Sequence, residues 1–142
     1  MKAPAMARIV GLLWLFAGAL ALVPLVTPPA PMTAEYLTLG ANYGWLFGIF
    51  AVNAPADLLH IVLGGWGLIG SFGFKGSVLY LRAIAWICLI LALLGAIPIT
   101  NTLFGALPVY GYDIALHVVV GVFALYGGYG AGSIPPPVEA AP

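Results

Sequence analysis

The sequence predicts an all-α integral membrane protein, with four transmembrane helices arranged as two two-helix repeats that share one orientation. The first observation is composition: 63% of the 142 residues are hydrophobic, 6% are charged, and the mean hydropathy is +1.14. A water-soluble domain needs several times that charge to cover its surface. The second is a series of four long apolar runs, and the third is an internal repeat that relates the two halves of the chain.

The apolar runs give the predicted helices in chain order. The first covers residues 9–26, which carry no charge and span about 27 Å at about 1.5 Å per residue. Further helices, each bounded by Pro, Gly or a charge, are predicted over residues 56–74, 78–100 and 113–130. Together they form one predicted domain over residues 1–130, and the Pro/Ala-rich residues 131–142 are predicted to be a disordered tail.

A cleaved signal peptide is an alternative interpretation of the first run, because Lys2 and Arg8 precede it and Ala34 ends a small-residue segment. The run is longer than a typical signal core, and its pattern recurs in the third run. We therefore expect it to remain in the mature protein.

Charge gives the chain a predicted orientation. The four basic residues lie at the amino terminus or around the loop between the second and third runs: Lys2, Arg8, Lys75 and Arg82. The acidic residues Glu35, Asp57 and Asp113 lie on the other side. The positive-inside rule then places both termini in the cytoplasm, and the loops over residues 27–53 and 101–112 outside.

An internal duplication relates the second and fourth runs. When the sequence is shifted by 57 positions, residues 46–73 and 103–130 share eleven identities in 28 positions, where chance gives roughly two or three. The first and third runs correspond at a shift of 74, with Arg8 and Pro24 matching Arg82 and Pro98. Each half crosses twice, so both halves point the same way.

Small residues recur at every third position along the two related helices. Such stripes let helix backbones approach closely in lipid, so they predict a helix-packing face. A glycine track that gives a ligand room between helices is the alternative. The stripes consist of Gly64, Gly67, Gly70, Gly73, Gly121, Ala124, Gly127 and Gly130.

An Asp/His pair precedes each stripe at the outer end of its helix. Asp57 lies three residues before His60, and Asp113 four before His117, so the members of each pair share a helix face. One interpretation is structural, with each His bonded to its Asp or to loop carbonyls. In a second, the two imidazoles hold a haem, a pigment, a metal ion or a small ligand. A proton relay or polar substrate site is the third.

The remaining chemistry is sparse. Neutral net charge without a basic cluster argues against nucleic acid as a partner. Cys88 lies in an apolar run and is predicted to be a core residue. The sequence shows no nucleophile set, phosphate-binding loop, CxxC or HExxH motif, so we expect no enzyme activity, no resident metal and no cofactor. Aromatic residues in the outer loops, including Tyr43 and Tyr110, are predicted to form an interfacial belt.

The two His-containing blocks carry a family resemblance. Residues 101–113 with Leu116-His117, and residues 46–53 with Leu59-His60, resemble a family of uncharacterised bacterial four-helix membrane proteins, domain of unknown function 4383. Its members often read Val-Asn-x-x-His-Asn-x-x-His at the second helix, where this chain has Ala56 and Asp57. The resemblance implies the four-helix fold and a bacterial cell (inner) membrane location, and no activity.

These observations favour a non-enzymatic membrane protein that serves as a structural or accessory element, packing through its glycine stripes within itself or against a larger assembly. The lipid bilayer is its expected environment, with other membrane subunits or further copies of the chain as partners. A ligand-binding protein that uses the two Asp/His pairs is the alternative.

Overall fold

The chain folds into four α-helices and one antiparallel β-hairpin over the residues that the computed structural model describes, 2–30, 37–130 and 133–134. In order, the elements are α1 (Ala3–Ala21), β1 (Gly44–Leu46), β2 (Phe50–Val52), α2 (Ala54–Gly70), α3 (Phe74–Gly95) and α4 (Tyr112–Tyr129). The prediction of four apolar helices is confirmed. Glu35 and most of the predicted tail lie outside the described residues.

Prolines explain why two helices end earlier than predicted. α1 stops at Ala21 and α3 at Gly95, each five residues before its predicted end, with Pro24 and Pro98 in the turns that follow. A residue that precedes proline disfavours helical backbone, so neither helix continues to its proline. Pro4, in contrast, lies in the first turn of α1, where its missing N–H costs nothing.

The hairpin is the feature that an all-α prediction missed. Trp45 pairs with Ala51 across it, and Phe47 and Gly48 form the turn with φ of 54° and 75°. The repeated motif in the second loop also has left-handed backbone, at Leu103, Phe104 and Gly105. Both Leu-Phe-Gly segments are therefore tight turns.

Packing pairs the helices as α1 with α2 and α3 with α4. A Cβ added at Gly11 of α1 would lie 2.9 Å from the backbone nitrogen of Leu68 in α2. A Cβ at Gly128 of α4 would lie 3.0 Å from the backbone nitrogen of Arg82 in α3. A central core joins the two pairs, and its largest side chains include Trp14, Met6, Tyr80, Leu81 and Ile84.

The outward faces of the helices are covered with large apolar side chains. Ile69 is 71% exposed, and Phe16, Leu93 and Val119 are each at least 60% exposed. Contiguous apolar surface of this kind does not face water in a soluble protein. α1, α3 and α4 are long and apolar enough to cross a membrane, and α2 is a shorter apolar helix of 17 residues. The fold is that of a membrane protein.

Candidate functional site

Trp14 of α1 brings the two predicted histidines to one place. Its indole stacks on the His60 ring with 4.8 Å between centroids and 5° between planes. The same indole lies 5.6 Å from the His117 ring, tilted by 36°. His60 lies in the second turn of α2 and His117 in the second turn of α4, so the site lies in the half of the bundle nearer the loops, where the two helix pairs meet.

His117 is held by the backbone of its own helix. Its Nδ1 lies 2.7 Å from the carbonyl oxygen of Asp113, and that carbonyl can only accept, so Nδ1–H is the donor. In a neutral imidazole the other ring nitrogen, Nε2, is then an acceptor. The ring is bonded to the main chain of Asp113, whereas the sequence-based hypothesis paired it with the carboxyl group.

Asp57 is fully buried and is bonded to a loop residue. The Nδ2 of Asn42 donates to Asp57 Oδ2 at 2.8 Å and also to the carbonyl of Ala21 at 3.3 Å. The other carboxyl oxygen of Asp57, Oδ1, is buried without a hydrogen-bond partner. Asp57 therefore fastens the first loop to the start of α2 and the end of α1, and it does not orient His60.

An apolar pocket of about 300 Å³ opens beside Trp14 and His60. α1 supplies one wall, the hairpin covers it, and the first turns of α4 close the far side. The residues that line it are Leu13, Trp14, Phe16, Ala17, Leu20, Leu46, Phe47, Phe50, Val52, His60, Asp113 and Leu116. The polar side chains that line this pocket are therefore those of Trp14, His60 and Asp113.

Two of these three side chains carry buried polar atoms that lack a partner. Trp14 Nε1 and His60 Nδ1 are inaccessible to water and make no hydrogen bond. Buried polar groups in folded proteins are nearly always paired, so an unpaired donor beside a second unpaired nitrogen requires an explanation. A group that enters from the pocket would supply one.

A second, smaller cavity of about 20 Å³ lies where the two helix pairs meet. It is lined by His60, Asp113 and His117 together with apolar residues of α2, α3 and the second loop. This volume suits one water molecule, and three polar side chains are enough to bind it. The structure thus brings together three of the four predicted polar residues, while Asp57 bonds to Asn42.

The glycine stripes lie at contacts inside the chain. A Cβ at Gly64 would meet Leu15 of α1, and one at Gly67 would lie 2.6 Å from Tyr80 Cζ of α3. Gly121 faces Leu89, Gly127 faces Leu81 and Met6, Gly70 faces Gly76, and Ala124 is fully buried. Gly73 and Gly130 instead occupy helix-end positions, as the N-cap of α3 and the C-cap of α4.

The loop between α1 and α2 and the loop between α3 and α4 form a joined cap over this end of the bundle. Asn53 accepts from the Ala56 amide as the N-cap of α2 and donates to the carbonyls of Leu39 and Ala106 at 2.8 and 2.9 Å. The hydroxyls of Tyr43 and Tyr110 share a hydrogen bond of 2.7 Å. Both tyrosines are buried, so their predicted place in an interfacial aromatic belt is wrong.

The geometry disfavours a metal ion or a large ring between the two histidines. The described part of the chain has no group of three or more His, Cys, Asp or Glu side chains that could hold a metal ion. Trp14 already contacts both imidazoles, where a pigment bridging them would have to lie. Cys88 is a buried core residue of α3.

Sequence reasoning missed Trp14 and Asn42. Trp14 had a detectable signal, because it lies between Gly11 and Gly18 at helical spacing and is the one large residue on a face of small ones. Asn42 had none, since it lies in a loop and meets Asp57 and Ala21 only through tertiary structure.

Comparisons with known proteins give one match. Residues 5–130 match the family described as Domain of unknown function (DUF4383). No curated protein and no solved structure matches the chain. Because the match covers all four helices and both loops, the chain belongs to this uncharacterised family, DUF4383.

Proposed function

We propose that this chain is a non-enzymatic integral membrane protein that binds a small lipid-soluble ligand in the pocket beside Trp14 and His60. The pocket carries the proposal: about 300 Å³ of almost wholly apolar space that ends at His60 and Asp113. Ligand sites combine this volume and an apolar lining with a few polar groups that fix orientation. Trp14 Nε1 and His60 Nδ1, on two of the residues that line the pocket, are buried without hydrogen-bond partners.

Extraction of the purified protein tests this function. Ala17 lines the pocket, whereas Ala19 is exposed two residues further along α1. We expect mass spectrometry of organic extracts to show a small molecule enriched with the wild type and with Ala19→Phe, and lost with Ala17→Phe. Equal extracts from all three proteins, each with the same unfolding temperature, would contradict the proposal.

A structural or accessory role in a larger membrane assembly or a homo-oligomer is a second proposal. Leu58, Val62 and Ile69 project from the outward face of α2, and Gly65 on this helix leaves open space beside it. Small residues on a lipid-facing surface permit close approach of another helix. Cross-linking in the native membrane, followed by isolation in mild detergent, should capture a neighbour through this face. A chain that cross-links to nothing would argue against the role.

We also propose that all four helices cross a bacterial cell (inner) membrane, with both termini in the cytoplasm. Lys2 and Arg8 lie before and within the first two turns of α1, Lys75 lies at the start of α3, and Arg82 lies two turns further along α3. Gly127 near the end of α4 packs on Met6 and Leu81, which supports placing these starts at one end of the bundle. The positive-inside rule assigns that end to the cytoplasm.

The two halves are proposed to be a duplication. Besides the sequence identities, the equivalent residues Phe47 and Phe104 both have left-handed backbone, and so do Gly48 and Gly105. Left-handed φ is uncommon for a phenylalanine, so its occurrence at matching positions supports a common origin. The glycine contacts of α1 with α2 and of α3 with α4 fit the same division.

A further inference from the structure

We propose that the ligand is a single-chain lipid with an uncharged hydroxyl head, a long-chain alcohol whose head lies at His60 and Asp113. This inference rests on the proposed function and adds the chemical class of the ligand to it. It is carried by three observations: the shape of the space beside the pocket, the charges around it, and the unpaired polar atoms at its inner end.

A second apolar hollow lies beside the pocket, along α4. It has a volume of about 270 Å³ and is lined by Ile49, Phe50, Tyr112, Ala115, Leu116 and Val119. Phe50 and Leu116 line both spaces, so the two hollows lie on either side of this pair. A flexible chain can pass from one to the other around these side chains, whereas a rigid fused-ring lipid cannot. The space therefore selects a single chain.

The charges near the pocket exclude an anionic head. No Lys or Arg lines either hollow, and the basic residues of the described chain belong to the starts of α1 and α3. A carboxylate or phosphate would be buried beside Asp113 without a cation. Desolvation of such an unpaired anion strongly disfavours its binding. An ammonium head would require a buried ion pair with Asp113, and its desolvation offsets much of the attraction.

A hydroxyl matches the polar atoms that are present. It donates one hydrogen bond and accepts up to two, so it can pair with groups of either kind. Trp14 Nε1–H can only donate, and His60 offers a ring nitrogen that has no partner. Trp14 Nε1 and His60 Nδ1 have almost no accessible surface, so a small rotation of these rings must accompany binding; the alcohol then accepts from the indole and donates to the imidazole or to Asp113. An alkane would leave these groups unpaired.

Competition in lipid nanodiscs tests the assignment. The protein would carry Trp14 as its sole tryptophan, with Trp45, Trp66 and Trp86 replaced by Phe, in discs of phosphatidylcholine. A brominated hexadecanol should quench Trp14 emission saturably, and unlabelled hexadecanol should reverse the quenching. Palmitate, hexadecylamine, hexadecane and a sterol should each compete at least tenfold more weakly. His60→Leu should weaken the binding of hexadecanol at least tenfold. His60→Gln, which keeps a hydrogen-bonding side chain, should retain most of the wild-type affinity.

The outcomes separate this proposal from the function on which it rests. Equal competition by hexadecane and hexadecanol, or stronger competition by palmitate, hexadecylamine or the sterol, would overturn the alcohol head or the single chain while leaving a ligand site. Quenching that never saturates, and that Ala17→Phe and Ala19→Phe do not change, would overturn both. Saturable quenching lost in Ala17→Phe and kept in Ala19→Phe, with the expected ranking, supports both.

Discussion

Asn53 joins three parts of the chain through one side chain. Its amide oxygen caps α2, and its amide nitrogen donates to carbonyls in the first loop and in the second. The residue has no exposed surface, so water cannot replace these bonds when the side chain is removed. A buried acceptor that loses its donor keeps its full desolvation cost.

We therefore expect Asn53→Ala to lower the free energy of unfolding by about 2–4 kcal/mol, from the lost cap and the unpaired carbonyls. Asn101→Ala is the matched control, because Asn101 is partly exposed and its side chain makes no hydrogen bond within the described residues. Thermal unfolding in detergent at one scan rate would measure both. Equal midpoints for the two variants would contradict the role assigned to Asn53.

At the scale of residues, the sequence predicts side-chain roles that involve neighbours in the chain. It does not predict roles that depend on contacts with residues far away in sequence. Asn53 was predictable as a cap, since capping involves the amide of Ala56 three residues away. Its bonds to Leu39 and Ala106 cross 14 and 53 residues, and no local pattern reports them. The sequence spacing indicated the two Asp/His pairs. In the structure, however, Asp57 is hydrogen-bonded to Asn42, because the first loop folds back onto the start of α2.

At the scale of elements, α1 and α2 approach so closely that their contact has no room for a side chain at Gly64. A Cβ there would overlap the backbone of Leu15 and lie 2.7 Å from its Cα. Neither backbone can move aside without separating the helices. The contact also sets the position of Trp14, one residue before Leu15, against His60.

Gly64→Ala should therefore destabilise the fold by about 1–3 kcal/mol, as overpacking of a close contact does. Gly65→Ala is the control one position along, because a Cβ at Gly65 meets nothing within 4 Å. For Gly65→Ala we expect no loss of stability, or a gain of up to about 1 kcal/mol from better helix propensity. Unfolding midpoints in detergent decide between the two, and a stable Gly64→Ala would show that α1 and α2 are free to separate.

The apolar runs predicted the four helices because a membrane helix needs little beyond an unbroken apolar run. The ends were less accurate, since the turns at Pro24 and Pro98 belong to the apolar runs by composition. The hairpin was not predictable from its pattern: each strand has three residues, and its turn places Phe47 in left-handed backbone, which no propensity favours.

At the scale of the whole molecule, the proposed four-crossing orientation has a direct test by cysteine labelling. Cys88 is the single cysteine and is buried, so Cys88→Ala gives a background without reactive thiols. On this background Thr38→Cys lies in the exposed first loop, and Gly73→Cys lies at the opposite end with open space around it. An impermeant maleimide should label Thr38→Cys in spheroplasts, and Gly73→Cys only in inverted vesicles. Labelling of both from one side would contradict the orientation.

The joined loop cap has a consequence for where the protein can find its ligand. Asn53 and the paired tyrosines hold the described parts of the two loops together over the bundle end. The pocket beneath is walled by residues from the cap and from the nearest turns of α1, α2 and α4. With the proposed ligand and the proposed four crossings, entry would be sideways, from the one bilayer leaflet that contacts this half of the bundle. The protein would sample the lipids of that leaflet alone.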